Sequence, residues 1–133
     1  METTFSPKLV EGIAQIFNFY TNVEGAGLGK RHAKGVCEYR VGGKSDCLQR
    51  CPVGVLIPNE KYSTNIEAGL SIYDKNPPAI ILRELGYKDS DLRHLVELQS
   101  IHDSDIVETK EDFLFQLREY CTEWDIPIPE AYV

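Results

Sequence analysis

Residues 5–20 constrain the fold more than any other stretch of the chain. Phe5 is followed by Ser6 and Pro7, the order of a helix start: a hydroxyl residue at the N-cap, then proline at the first helical position, where its missing N–H costs nothing. Leu9, Val10, Ile13, Ile16, Phe17 and Tyr20 then recur at three- and four-residue spacing, so one helix face is apolar, with Phe5 expected to staple onto Val10. Thr21, Asn22 and the glycines after Val23 end the element. Such a stripe is core rather than a binding groove, and the rest of the chain has to cover it.

A chain of 133 residues fits one domain, residues 1–133, and 42% hydrophobic with 26% charged residues is ordinary for a globular protein. A domain of this size buries roughly two-thirds of its unfolded surface, so it needs neither metal nor disulfide to hold together. The net charge of −7 has the wrong sign for broad nucleic-acid binding. The first residues lack a basic and apolar leader, so no secretory signal is expected. The longest apolar run, Ala79 to Leu82, falls far short of the ~20 residues of a membrane span. Cys37, Cys47, Cys51 and Cys121 are therefore expected as reduced thiols in a cytoplasm.

The segment Gly25 to Gly35 is glycine-rich and basic, but it is not a P-loop. Three residues instead of four separate Gly25 from Gly29, Arg31 stands where a magnesium-binding hydroxyl belongs, and a helix precedes it instead of a strand. Residues 36–57 read as two strands, Cys37, Tyr39 and Val41 alternating on one, Cys51, Val53, Val55 and Ile57 sharing a face of the other. A long polar connection joins them, and Pro52 places the second strand at an edge or at its own start. Asn59 to Tyr62 is expected as a short helical turn, and residues 63–76 show no period.

Three more helices follow. One is expected from Asn76 to Gly86 with Tyr87 poised for a hydrophobic contact, one from Asp89 or Ser90 to about Asp103, and one from a Thr109 cap to about Trp124. The last carries Phe113, Leu114, Leu117, Tyr120, Cys121 and Trp124 on one face, and Pro127 and Pro129 predict an extended tail. The expected fold class is α+β: a β-hairpin of two or three strands packed against about four helices.

Within the apolar arc of the helix ending at Asp103, beside Leu92, Leu95, Val96 and Leu98, lie Gln99 and His102. Buried polar side chains need partners, so the pair either satisfies nearby backbone groups or lines a pocket. Cys37, Cys47 and Cys51 with His32 or His102 would make a zinc donor set, but no Cys-x2-Cys pair supports it, and no metal or cofactor is expected. Neither a Gly-x-Ser-x-Gly elbow nor a His-Glu-x-x-His motif occurs, so no catalysis is expected. Charge is divided: residues 25–50, with Lys30, Arg31 and Lys34, carry a net +4, whereas residues 84–133 carry thirteen acids and four bases. The basic segment suits a small anion or an acidic partner, and the acidic helices repel nucleic acid or mimic it.

Cys37-Glu-Tyr39-Arg40, Cys51-Pro-Val-Gly-Val-Leu-Ile-Pro-Asn-Glu60-Lys-Tyr62, Glu67-Ala-Gly69 and Leu98-Gln99-Ser-Ile-His102-Asp103 stand in that order. The series resembles a family of small phage and bacterial proteins without an assigned activity. The resemblance covers residues 37–103 and departs at the longer connection with Cys47, at Pro52 in place of the usual Ala, and at Ala68 between Glu67 and Gly69. It implies that Tyr39, Arg40, Glu60, Tyr62, Glu67, Gln99, His102 and Asp103 belong to one constellation. The expected function is a non-catalytic, phage-encoded accessory protein that binds or inhibits a host protein through the basic loop or the acidic helices, in the bacterial or infected-host cytoplasm. The alternatives are a small-ligand or nucleotide-binding domain around Arg40, Glu60, Gln99 and His102, and a zinc-stabilised module.

Overall fold

The computed structural model describes residues 4–31, 36–37, 48–62 and 77–133. Among them the chain is mostly helical with a small β component, which agrees with α+β in the coarse sense. The helices are α1 (Pro7–Asn22), α2 (Pro52–Leu56), α3 (Pro77–Glu84), α4 (Asp89–Asp103) and α5 (Lys110–Glu123). Two-residue strands make up the β component: β1 (Gly27–Leu28) runs parallel to β4 (Gln49–Arg50), and β2 (Lys30–Arg31) runs antiparallel to β3 (Val36–Cys37).

The helix read from Leu9 to Tyr20 is the centre of the structure. Leu9, Ile13, Ile16 and Phe17 of α1 are wholly buried, each such side chain contributing about 1.5–3 kcal/mol of transfer free energy. α1 packs on α2 and α5, and α4 packs on α2, α3 and α5. Gly12 is a point of close approach: a Cβ there would collide with the Tyr87 hydroxyl. Ser6 holds the N-cap position, but its hydroxyl makes no capping bond; it donates instead to Asp91 Oδ2 at 2.6 Å.

The expected second strand is a helix. Residues 51–57 are buried on every side, so the alternation of Cys51, Val53, Val55 and Ile57 carries no facing information, and a short apolar run of this kind is compatible with either element. Pro52 decides it, sitting at the first helical position instead of at a strand edge. The hairpin is replaced by β4 beside β1, and Tyr20 of α1 donates its hydroxyl to the Arg50 carbonyl. Burial raises the Tyr20 phenol well above its ordinary pKa, which suits a permanent donor. The guanidinium of Arg50 lies 5.2 Å from the centre of the Phe19 ring and reaches Asn59. Beyond β3, the rest of the expected first strand, with Tyr39 and Val41, lies outside the described residues, as does the stretch 63–76.

Helix ends follow their sequence signals closely. After α3, Gly86 takes φ +108°, its N–H bonds the Arg83 carbonyl and the Tyr87 N–H bonds Leu82, which buries the Tyr87 ring as the sequence predicts. Thr109 and Asp112 cap α5 reciprocally: the Thr109 hydroxyl accepts from the Asp112 N–H, and the Asp112 carboxylate accepts from the Thr109 N–H, each at 3.1 Å. The same closing geometry ends α5, with Asp125 at φ 55° and the Ile126 N–H on the Cys121 carbonyl. The expected extended tail instead folds back: Glu130–Tyr132 forms a 3₁₀ turn, and the Tyr132 ring stacks on Phe17 at 5.2 Å. Two prolines spaced as Pro127 and Pro129 enforce extension only locally, and a buried aromatic contact outweighs it afterwards.

Candidate functional site

The inner face of α4 carries the two polar residues that the sequence singles out, and both hold backbone. Gln99 Oε1 accepts the Val53 N–H at 3.0 Å, satisfying one of the orphan donors at the start of α2. His102 is completely buried; its Nε2 accepts the Gly29 N–H at 3.1 Å, and its Nδ1–H donates to Asp103 Oδ1 at 2.8 Å. Phe113 meets the imidazole edge-on at 5.9 Å. Gln99 and His102, three residues apart on one face of α4, thus clamp the glycine segment and the α2 start to the helix, with Asp103 fixing the tautomer.

Glu60 is exposed on the 3₁₀ turn Asn59–Lys61, and Tyr62 is buried just after it. Lys30 and Arg31 form β2, whose backbone pairs with β3. Lys34, Tyr39, Arg40 and Glu67 lie outside the described residues, as do His32 and Cys47 of the zinc alternative. Cys51 is buried, and among the described residues no group of three or more His, Cys, Asp or Glu is placed to hold a metal ion. Cys121 is also buried, which pushes its thiol up to about 12 and leaves it protonated near neutral pH.

A different face of α4 opens onto the surface. Ser90, Arg93, His94, Glu97 and Ile101, at positions i, i+3, i+4, i+7 and i+11, run along one side of a cleft of about 640 Å³; Tyr120, Glu123 and Trp124 of α5 form the other side. His94 organises its floor. Its Nε2–H points at the Thr4 carbonyl at 3.0 Å, with the Thr4 hydroxyl equally near, and its Nδ1 lies 2.7 Å from the Tyr120 hydroxyl, which donates to it. Trp124 and Tyr120 stand edge-on to the imidazole at 5.2 and 5.8 Å, and Phe5 closes the far side at 6.5 Å.

Burial lowers the His94 pKa below the ordinary imidazole value, against the Thr4 carbonyl and the Asp91 and Glu97 carboxylates, which raise it. Burial raises Tyr120 above the ordinary phenol value, helped by Glu97, Cys121 and Glu123. Both ring nitrogens of His94 are engaged, so the cleft offers aromatic surface and carboxylates instead of a free base. His94 and Asp91 are not among the residues that the sequence singles out. Their only signal is position: Asp91 falls in the middle of the arc that holds Leu95 and Leu98, and His94 stands one turn before Leu98.

No helix among the described residues is long and apolar enough to cross a membrane. Comparison with models of known protein families, with curated proteins and with solved structures returns no match.

Proposed function

We propose that the chain is a non-catalytic binding protein whose partner, another protein, docks on the face formed by α4 and α5. The observation that carries this reading is the open cleft between those helices, an aromatic floor of His94, Tyr120 and the 42%-exposed Trp124 beside Glu97 and Glu123. Exposed aromatic surface next to charged rims is the composition of protein recognition sites, where tryptophan and tyrosine dominate the energetics. The cleft belongs to the acidic segment 84–133, whose field favours a basic partner and disfavours nucleic acid. The resemblance to small phage and bacterial proteins supports a host protein as that partner, with inhibition as one consequence of docking. Gln99 Oε1 and His102 Nε2 already accept the Val53 and Gly29 N–H groups, which weakens the reading of a ligand pocket built around them.

The test is capture of a binding protein from host lysate, followed by reconstitution of the pair from purified components. Trp124→Ala and a charge at Val96, which also lines the cleft, introduced as Val96→Asp, are expected to abolish the reconstituted complex, while Phe115→Ser, exposed elsewhere on α5, leaves it intact. Dependence on Lys30→Glu and Arg31→Glu, with no effect of the cleft variants, would move the docking face to the basic segment and overturn the proposal.

A further inference from the structure

The cleft carries a charge asymmetry that identifies the chemistry of what enters it. Glu97 from α4 and Glu123 from α5 both line the cleft with its aromatic floor, and among the described residues neither has an ion-pair partner within 4.0 Å. Both carboxylates bear on the Tyr120 hydroxyl, and Glu97 also bears on His94, so their fields converge on the floor. Arg93 is the cleft's single basic residue against these two acids. Trp124 adds the aromatic group most attractive to a cation lying over its ring.

Building on the docking face proposed above, we infer that the cleft is an arginine-binding site: the partner inserts one arginine side chain between Glu97 and Glu123, its guanidinium over Trp124. Arginine fits better than lysine on three grounds. Its five donors are enough to serve two carboxylates at once, its plane stacks on an indole, and its weaker hydration makes entry into a largely apolar cleft less costly. The volume of about 640 Å³ exceeds one guanidinium, leaving room for the methylene stem and flanking residues of a peptide segment. Arg93, which also lines the cleft, then meets an acidic or carbonyl group of that same segment.

Trp124 is the protein's one tryptophan, so its emission reports on the site directly. The probes are an amphipathic arginine–leucine peptide, its lysine–leucine and glutamate–leucine counterparts, and acetyl-arginine amide, each titrated into the full chain. The arginine peptide is expected to shift Trp124 emission saturably and to bind several-fold more tightly than the lysine peptide. The glutamate peptide is expected to cause no saturable change, and acetyl-arginine amide to compete weakly with the arginine peptide. The double variant Glu97→Gln/Glu123→Gln is expected to lose about tenfold in arginine-peptide affinity while keeping the wild-type melting temperature. Equal binding of the lysine or glutamate peptide, absence of a saturable shift, or an unchanged affinity in the double variant overturns the assignment. If those results coincide with a reconstituted partner complex that still requires Trp124 and Val96, the arginine site falls and the docking face stands. Loss of both dependences removes the face as well.

Discussion

Ser6 and Asp91, 85 positions apart, are joined by two hydrogen bonds: Asp91 Oδ1 accepts the Ser6 N–H at 2.8 Å and Oδ2 accepts the Ser6 hydroxyl at 2.6 Å. The same Oδ2 accepts the Lys88 N–H at 2.8 Å, so one fully buried carboxylate ties the starts of α1 and α4 together. Hydrogen bonds to a charged acceptor are the stronger kind, and a buried donor left without one costs about 1–3 kcal/mol.

Asp91→Ala is accordingly expected to lower unfolding free energy by about 3 kcal/mol, and Asp91→Asn, which keeps one acceptor, by about half as much. Chemical denaturation measures both. A double-mutant cycle with Ser6→Ala should return a coupling of about 1 kcal/mol or more, and additivity of the two changes would contradict the tie.

Gln99 is expected to act as a remote cap. Gln99→Leu leaves the Val53 N–H without its acceptor at the buried start of α2 and should cost about 1–3 kcal/mol. Gln99→Glu keeps an oxygen at the same place and should cost less. Amide exchange at Val53 distinguishes the two variants, since only the leucine variant removes its acceptor. His102→Leu should act in the same way on the Gly29 amide.

Stability should respond to His94 between neutral and mildly acidic pH. Burial lowers the folded-state pKa below the 6.5 of an unperturbed imidazole, so the unfolded chain takes up the proton first. Stability is therefore retained above about pH 6.5, declines as pH falls toward the folded value, and the contribution levels off below it. The groups facing the ring are the Thr4 carbonyl, the Tyr120 hydroxyl and the Asp91 and Glu97 carboxylates. Denaturation midpoints at about pH 7.5 and about pH 5.5 should converge in His94→Phe relative to wild type, whereas an unchanged difference would assign the effect to other groups.

Asp125 ends α5 in the left-handed region at φ 55°, where glycine has no steric cost, and its negative charge stands at the carbonyl end of the helix. Asp125→Gly is expected to raise unfolding free energy by about 0.5–1 kcal/mol, read as a higher melting temperature.

Much of the helical framework is legible in the amino-acid sequence. Phe5-Ser6-Pro7, Gly86-Tyr87 and Thr109 with Asp112 are local signals: caps and closing glycines act within one turn, so neighbouring residues suffice to place the start of α1, the end of α3 and the start of α5. The buried stripe of α1 is equally local, because three- and four-residue spacing defines a face without reference to what covers it. Where burial is complete on all sides the pattern loses meaning, and α2 reads as a strand for that reason.

Partnership is decided only in three dimensions. Gln99 and His102 stand out in sequence as polar residues in an apolar arc, but that the first holds Val53 and the second Gly29 depends on two segments brought to α4 from 46 and 73 positions away. Ser6 looks like a helix cap until Asp91 offers a stronger, charged acceptor. Trp124 falls on the apolar face of α5 by its angle, yet it lies past the last covered turn and stays exposed, which opens the cleft. Sequence determined where α1, α3, α4 and α5 run and which faces seek cover, since both follow from spacing along one chain. Tertiary structure decided which polar groups pair and which surface remains uncovered, since both depend on where the chain meets itself.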